Sequence, residues 1–309
     1  MSEFKPTEAA LEGFRLARKN PKAFRTWIVL NLAVSVLAVM IDVFMPAEIR
    51  HGLDTLNGPD TLTLRQFADA MILAAPVLVL ALAVIAMMAA AVYRLIFRHA
   101  DDRFGYVRLG PDEFRLMGTT VICSLILILA VVGATVGMGI VFGLIGLFVP
   151  QLSAILTVLG PLVIVGVAAF TFVRLSLAPA ATFAEQKVVV FESWTLTKGH
   201  FWGLLGAYAL AIACIATIWI LVIFICFGVT GSIVLIEGGQ LSEVKSLLTA
   251  TGGSLTSYLS VGVIAYGVVN SVLSALYYSV MAAPGAVAYQ QLHGWPPEGH
   301  PLTIQPEAG

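Results

Sequence analysis

From Leu116 to Val173 the chain reads LMGTTVICSLILILAVVGATVGMGIVFGLIGLFVPQLSAILTVLGPLVIVGVAAFTFV, 58 residues without one Asp, Glu, Lys or Arg. One membrane crossing takes roughly 20 apolar residues at a rise of 1.5 Å each. The stretch is therefore long enough for two crossings. The whole chain agrees with it: 59% of its 309 residues are hydrophobic and 11% charged, where a soluble domain carries about a quarter charged residues. So much apolar surface requires a nonaqueous solvent, and the expected fold is an all-α integral membrane bundle.

Working outward, six apolar segments stand out, at about 27–46, 70–95, 118–147, 153–182, 202–235 and 256–286. Several exceed one bilayer thickness, which predicts tilt, kinks or interfacial extensions. Basic residues in the connections set the orientation. The N-terminal arm carries Lys5, Arg15, Arg18, Lys19, Lys22 and Arg25, the second connection Arg94, Arg98, Arg103, Arg108 and Arg115, and the fourth Arg174, Lys187 and Lys198. The alternate side holds Arg50, Arg65 and Lys245, a split of 14 against 3. That bias places both termini in the cytoplasm. The first apolar run lacks an Ala-x-Ala cleavage site and reads as a retained helix rather than a signal peptide. The domain reading is a cytoplasmic amphipathic arm over 1–26, a six-helix domain over 27–290 and a disordered tail over 291–309.

A short motif recurs. Phe14-Arg15-Leu16, Phe114-Arg115-Leu116 and Trp194-Thr195-Leu196 precede the odd-numbered segments. The even-numbered segments end on Tyr93-Arg94, Val173-Arg174 and Tyr278-Ser279, and Pro179 and Pro284 follow the last two at the same offset. This pattern predicts three helical hairpins, each preceded by a cytoplasmic interfacial helix. The clearest such helix is the first, where Ala10, Leu11, Phe14 and Ala17 share an apolar face and Asn20-Pro21 supplies the stop. It is expected to lie in the headgroup layer with its basic residues toward anionic lipid.

The third unit carries a resemblance. Its basic residue Arg174, its Pro179 and the run Ser193-Trp194-Thr195-Leu196-Thr197-Lys198-Gly199 resemble the membrane domain attached to some glycerophosphodiester phosphodiesterases, and the stand-alone relatives of that domain. Arg174, Pro179, Trp194 and Lys198 are the residues that carry the interfacial motif. The resemblance implies a bacterial inner-membrane protein. It does not imply the phosphodiester reaction, which belongs to a separate soluble barrel.

Intramembrane polar groups are costly in hydrocarbon and often functional. Asn270 sits near the middle of the sixth segment with Tyr266, Ser271 and Ser274 at nearby helical turns, and Asn31 is a candidate partner. An interhelical hydrogen bond or a substrate site would each use them. Asp42, Arg94 and Arg174 lie near segment ends, where snorkelling explains them. Glycines at Gly133, Gly137, Gly139 and Gly143 predict a close helix contact, expected within the chain. Asp101-Asp102 and Asp112-Glu113 are read as solvated loop charges.

No enzyme is indicated: the five histidines are scattered and no metal or triad spacing occurs. Cys123, Cys214 and Cys226 form no CxxC, so no cofactor, zinc site or disulfide is expected. No basic block suggests nucleic acid. The leading reading is a nonenzymatic component that binds membrane lipids, a membrane-protein partner or a second copy of itself. A small transporter or permease is the alternative, and a lipid-modifying enzyme the third.

Overall fold

The structure is a computed structural model that describes residues 5–46, 48–50, 63–98, 103–148, 153–236 and 258–293. The tail from 294, Asp101-Asp102 and Lys245 lie outside the described residues. The helices among those residues are α1 (Pro6–Lys19), α2 (Pro21–Phe44), α3 (Leu64–Phe97), α4 (Pro111–Phe148), α5 (Ser153–Leu175), α6 (Ala178–Glu185), α7 (Phe191–Leu196), α8 (Phe201–Ile236) and α9 (Val261–His293). A one-turn 3-10 helix covers Arg103–Tyr106. Six of the helical stretches are long and apolar enough to cross a membrane, which makes this an all-α, multi-pass membrane protein.

Local chemistry sets the boundaries. Asn20 closes α1 by donating both its backbone N–H and its amide to the Leu16 carbonyl, and Pro21 then opens α2, where its missing N–H has no consequence. Thr63 and Gln66 form a capping box at the start of α3. Asp112 and Glu113 occupy the first turn of α4, where the exposed N–H groups favour negative charge. Pro76, Pro161 and Pro284 lie within helices, a placement that membrane helices tolerate.

α9 is the hub. α1, α2, α3, α6 and α8 all pack against it, and α4 joins through α3 and α6. The end of the bundle that carries α1, called the arm-side end below, holds most of the buried core: Trp27, Met88, Leu95, Leu116, Phe183 and Tyr289 are almost wholly enclosed. Away from it the helices separate. The candidate span containing most of α4 has no buried residue in its most apolar window.

Four expectations need correction. α1 docks into the bundle through Ala9, Ala10, Gly13 and Leu16, while Leu11 stays exposed; the buried stripe is one shared with α9 and α8 rather than one pressed only on lipid. Phe114-Arg115-Leu116 belongs to the first two turns of α4, so the second hairpin has no separate interfacial helix. Pro179 starts the short helix α6, whereas Pro284 interrupts nothing. Finally, a Cβ placed on Gly133, Gly137, Gly139 or Gly143 would meet no atom of the described residues within 4 Å. The glycine positions themselves face no described neighbour, although α4 packs on α5 through residues between them such as Phe142. The tight approaches are elsewhere: a Cβ on Gly13 would sit 2.5 Å from the Val280 Cα, and one on Gly160 would sit 2.9 Å from the Phe142 ring.

Candidate functional site: a polar layer and a hydroxyl-lined cavity

The repeated motif turns out to be a set of latches. The residue just before each aromatic-x-Leu triplet is Gly13, Glu113 or Ser193, and all three are buried. Each meets the residue that ends an even-numbered span. The Arg94 guanidinium donates to the Glu113 carboxylate, the Ser193 hydroxyl donates to the Arg174 carbonyl at 2.7 Å, and the Ser279 hydroxyl donates to the Gly13 carbonyl at 2.9 Å. The last span thus closes on the first arm, completing a ring of three.

The strongest latch surrounds Arg94. Its side chain is buried, it also donates to the Tyr106 carbonyl at 2.9 Å, and its guanidinium lies 3.8 Å from Asp112. Asp112 in turn gathers Arg115 at 3.0 Å, Arg98 at 3.4 Å and Arg108 at 3.9 Å. Arg98 lies over the Phe183 ring, 5.0 Å from its centroid, a placement that adds cation–π attraction. Four guanidinium groups therefore face two carboxylates. Taking such charges out of water is expensive unless each is paired, which is why arginine, with its planar fork of donors, suits the position. Asp112 and Glu113 are consequently not solvated loop charges, and Arg94 does not snorkel.

Arg174 is held rather than free. Its guanidinium donates to Thr197 Oγ1 at 3.2 Å and reaches the Trp194 carbonyl at 3.4 Å, and it lies over the Phe170 and Trp194 rings. Of the interfacial motif, Arg174 and Trp194 are thus brought together, while Pro179 lines the cavity described below and Lys198 is exposed. Beside the first latch, the Trp27 indole N–H donates to the Gly105 carbonyl at 2.8 Å. Gly105 has φ +64°, and a Cβ there would lie 2.8 Å from Thr26; only glycine fits this corner.

Of Asn31, Tyr266, Asn270 and Ser274 in the proposed intramembrane cluster, the hydrogen bonds shown belong to Asn31. Asn31 is buried and donates to the Trp27 carbonyl at 2.8 Å and weakly to Met88 Sδ, so its partners are on α2 and α3 rather than at Asn270. Asn270 and Tyr266 are half-buried. Ser274 lines a cavity of about 280 Å³ with Trp219, Tyr277 and Tyr278.

A second cavity, of about 300 Å³, opens just inside the polar layer, between α3, α4, the α5–α6 break, α8 and α9. Tyr93, Thr120, Ser124, Ser176 and Tyr208 contribute hydroxyls to its wall. Sequence reading missed it because the residues come from separate helices. Its one visible signal was Tyr93, adjacent to Arg94 in the repeated ending. Asp42 anchors the opposite end of the bundle, where Tyr258 donates to its carboxylate at 2.6 Å. Among the described residues no group of three or more His, Cys, Asp or Glu side chains is placed to hold a metal. Compared with family models, with curated proteins and with solved structures, the chain finds no match.

Proposed function

We propose that the protein is a lipid-binding component of a bacterial cytoplasmic membrane, with the arm-side end and both termini in the cytoplasm and no catalysis of its own. The observation that carries this reading is the make-up of the arm-side surface. The basic residues of the arm and of two connections share that end with large exposed aromatic side chains, among them Phe104, Phe114, Phe191 and Trp202. Amphipathic rings at headgroup depth and cations facing anionic lipid are the two features that seat a protein in a membrane interface. A relation to the phosphodiesterase-associated membrane domain, proposed on Arg174, Pro179, Trp194 and Lys198, fits the same reading.

The test is reconstitution in nanodiscs of equal phosphatidylcholine and phosphatidylglycerol, followed by release and native mass spectrometry. Several-fold enrichment of the anionic lipid on the protein is expected, and it should shrink when Lys19, Lys22 and Arg25 are replaced by Gln. Equal retention of both lipids would reject the preference, and labelling of a cysteine at position 104 by an impermeant reagent from outside the cell would reject the orientation. The Ser274 cavity favours a second reading, a small transporter of uncharged solutes. Solute uptake lost in Ser274→Leu at normal abundance would favour that reading over the first.

A further inference from the structure

We infer that the cavity beside Tyr93 is a binding site for the glycerol and ester region of an uncharged glyceride, a diacylglycerol. This inference rests on the lipid-binding reading above, but not on its preference for anionic headgroups.

Three observations meet there. The first is the hydroxyl wall. Tyr93 is only 4% exposed and lines the cavity; its hydroxyl makes no hydrogen bond to another described residue and is not among the fully enclosed polar atoms that lack a partner, so it opens to the cavity. A ligand oxygen placed there would accept a hydrogen bond from it. Thr120 and Ser124, one turn apart on α4, present two further hydroxyls along the same wall. Across the cavity the Tyr208 and Ser176 side chains line the opposite wall. The room for the Tyr208 hydroxyl comes from Gly285, where a Cβ would lie 2.9 Å from it.

The second observation is charge. No lining residue is acidic or basic. Arg94, the nearest cation in sequence, is committed to Glu113 and to the Tyr106 carbonyl. An ionised group in this site would have no counterion in a medium that penalises isolated charge heavily. The ligand is therefore neutral and hydrogen-bonding, which describes a free hydroxyl with flanking ester carbonyls and does not describe a phosphate.

The third is depth and size. At 1.5 Å per residue, Tyr93 lies about 6 Å from the arm-side end of α3, Tyr208 about 10 Å from the start of α8 and Thr120 about 13 Å from the start of α4. A core of about 30 Å within a bilayer of about 40–45 Å leaves about 5–8 Å for each headgroup layer, so, counted from the helix ends, the hydroxyls run from the inner edge of that layer into the outermost hydrocarbon. Glycerol esters occupy this boundary. The volume stands at the lower end of ligand pockets, about 300–1,000 Å³, so it takes a glycerol and the first methylenes but not whole chains. Phe172 and Leu127 form apolar wall, and Leu125, Ile128 and Leu129 next to it on α4 are exposed, giving acyl chains a path into the bilayer.

The experiment uses the full chain in dodecyl maltoside, with dioctanoylglycerol as probe and native mass spectrometry as readout. Saturable binding of one molecule is expected. Tyr93→Phe keeps the ring contacts with Phe97 and Phe183 and should weaken binding about tenfold, as for one hydrogen bond. Ser124→Phe, at an exposed helix position, should fill the cavity and abolish binding. Dioctanoyl phosphatidic acid should not compete. The inference is overturned if the wild type shows no saturable adduct, if Tyr93→Phe binds as the wild type does, or if phosphatidic acid competes at equal concentration. None of these results depends on phosphatidylglycerol enrichment, so failure here is distinguishable from failure of the anionic-lipid preference.

Discussion

The arm-side end and the opposite end of the bundle are built from the same six long helices but held in different ways. At the arm-side end, Arg94, Arg174 and Ser279 each tie a span to a preceding or following segment, and the residues between them are largely enclosed. At the other end, the described side-chain ties are the Tyr258 hydroxyl on Asp42 and the Arg50 guanidinium on the Asp42 carbonyl, while Val132, Val136, Ile140 and Leu144 of α4 stand exposed. The difference follows from the solvent. In hydrocarbon no hydrophobic force draws apolar helices together, so packing at depth depends on shape alone. Near the headgroups polar groups must be either hydrated or paired, and pairing them fixes which helix lies beside which.

The largest effect is expected at the first latch. Arg94→Ala leaves Glu113 buried without its partner, and losing one member of a buried pair costs about 3–5 kcal/mol. Thermal unfolding in detergent should show a large drop for Arg94→Ala. A drop no greater than that of a surface variant would show that the pair is solvated after all.

Much of this architecture was legible before any coordinates. Six spans were visible because an apolar run of the right length has few alternatives, although helices such as α2 and α4 begin several residues earlier than their apolar cores, since a helix does not stop where hydrocarbon does. Asn20-Pro21 marked the end of α1, and the aromatic-x-Leu triplets marked the latch segments. What the triplets did not disclose was the partner of each, because the partner is the residue before the triplet rather than one within it, and Gly13 and Ser279 stand 266 residues apart in the chain. The glycine run misled for a related reason. Missing side chains permit a close approach, but only the placement of another helix supplies one, and among the described residues nothing meets the Gly137 position within 4 Å. The approaches that do occur use isolated glycines, among them Gly13, Gly160 and Gly285, which have no pattern to betray them. Of the cavity, only the position of Tyr93 beside Arg94 was readable.

A smaller effect is expected at the opposite end. Tyr258→Phe removes a part-buried tie that joins only two side chains and should cost about 1 kcal/mol. The Asp42 carboxylate, by accepting its hydrogen bond, holds the Tyr258 phenol above its ordinary value. A raised value means the bond contributes below pH about 10 and is lost as pH rises through that raised value. The stability gap between wild type and Tyr258→Phe should therefore be constant through neutral pH and close under alkaline conditions. A gap that widened with pH would contradict the assignment.

The most direct measurement places one substitution at both ends. Gly13→Leu and Gly137→Leu add the same side chain to a glycine on a helix, one where its Cβ would meet the α9 backbone and one where it would meet nothing within 4 Å among the described residues. Thermal unfolding of the two purified variants in the same detergent should give a clear loss for Gly13→Leu, of about 1–3 kcal/mol or more for overpacking, and no loss for Gly137→Leu. Equal losses, or a greater loss for Gly137→Leu, would contradict the claim that the arm-side end holds the bundle together.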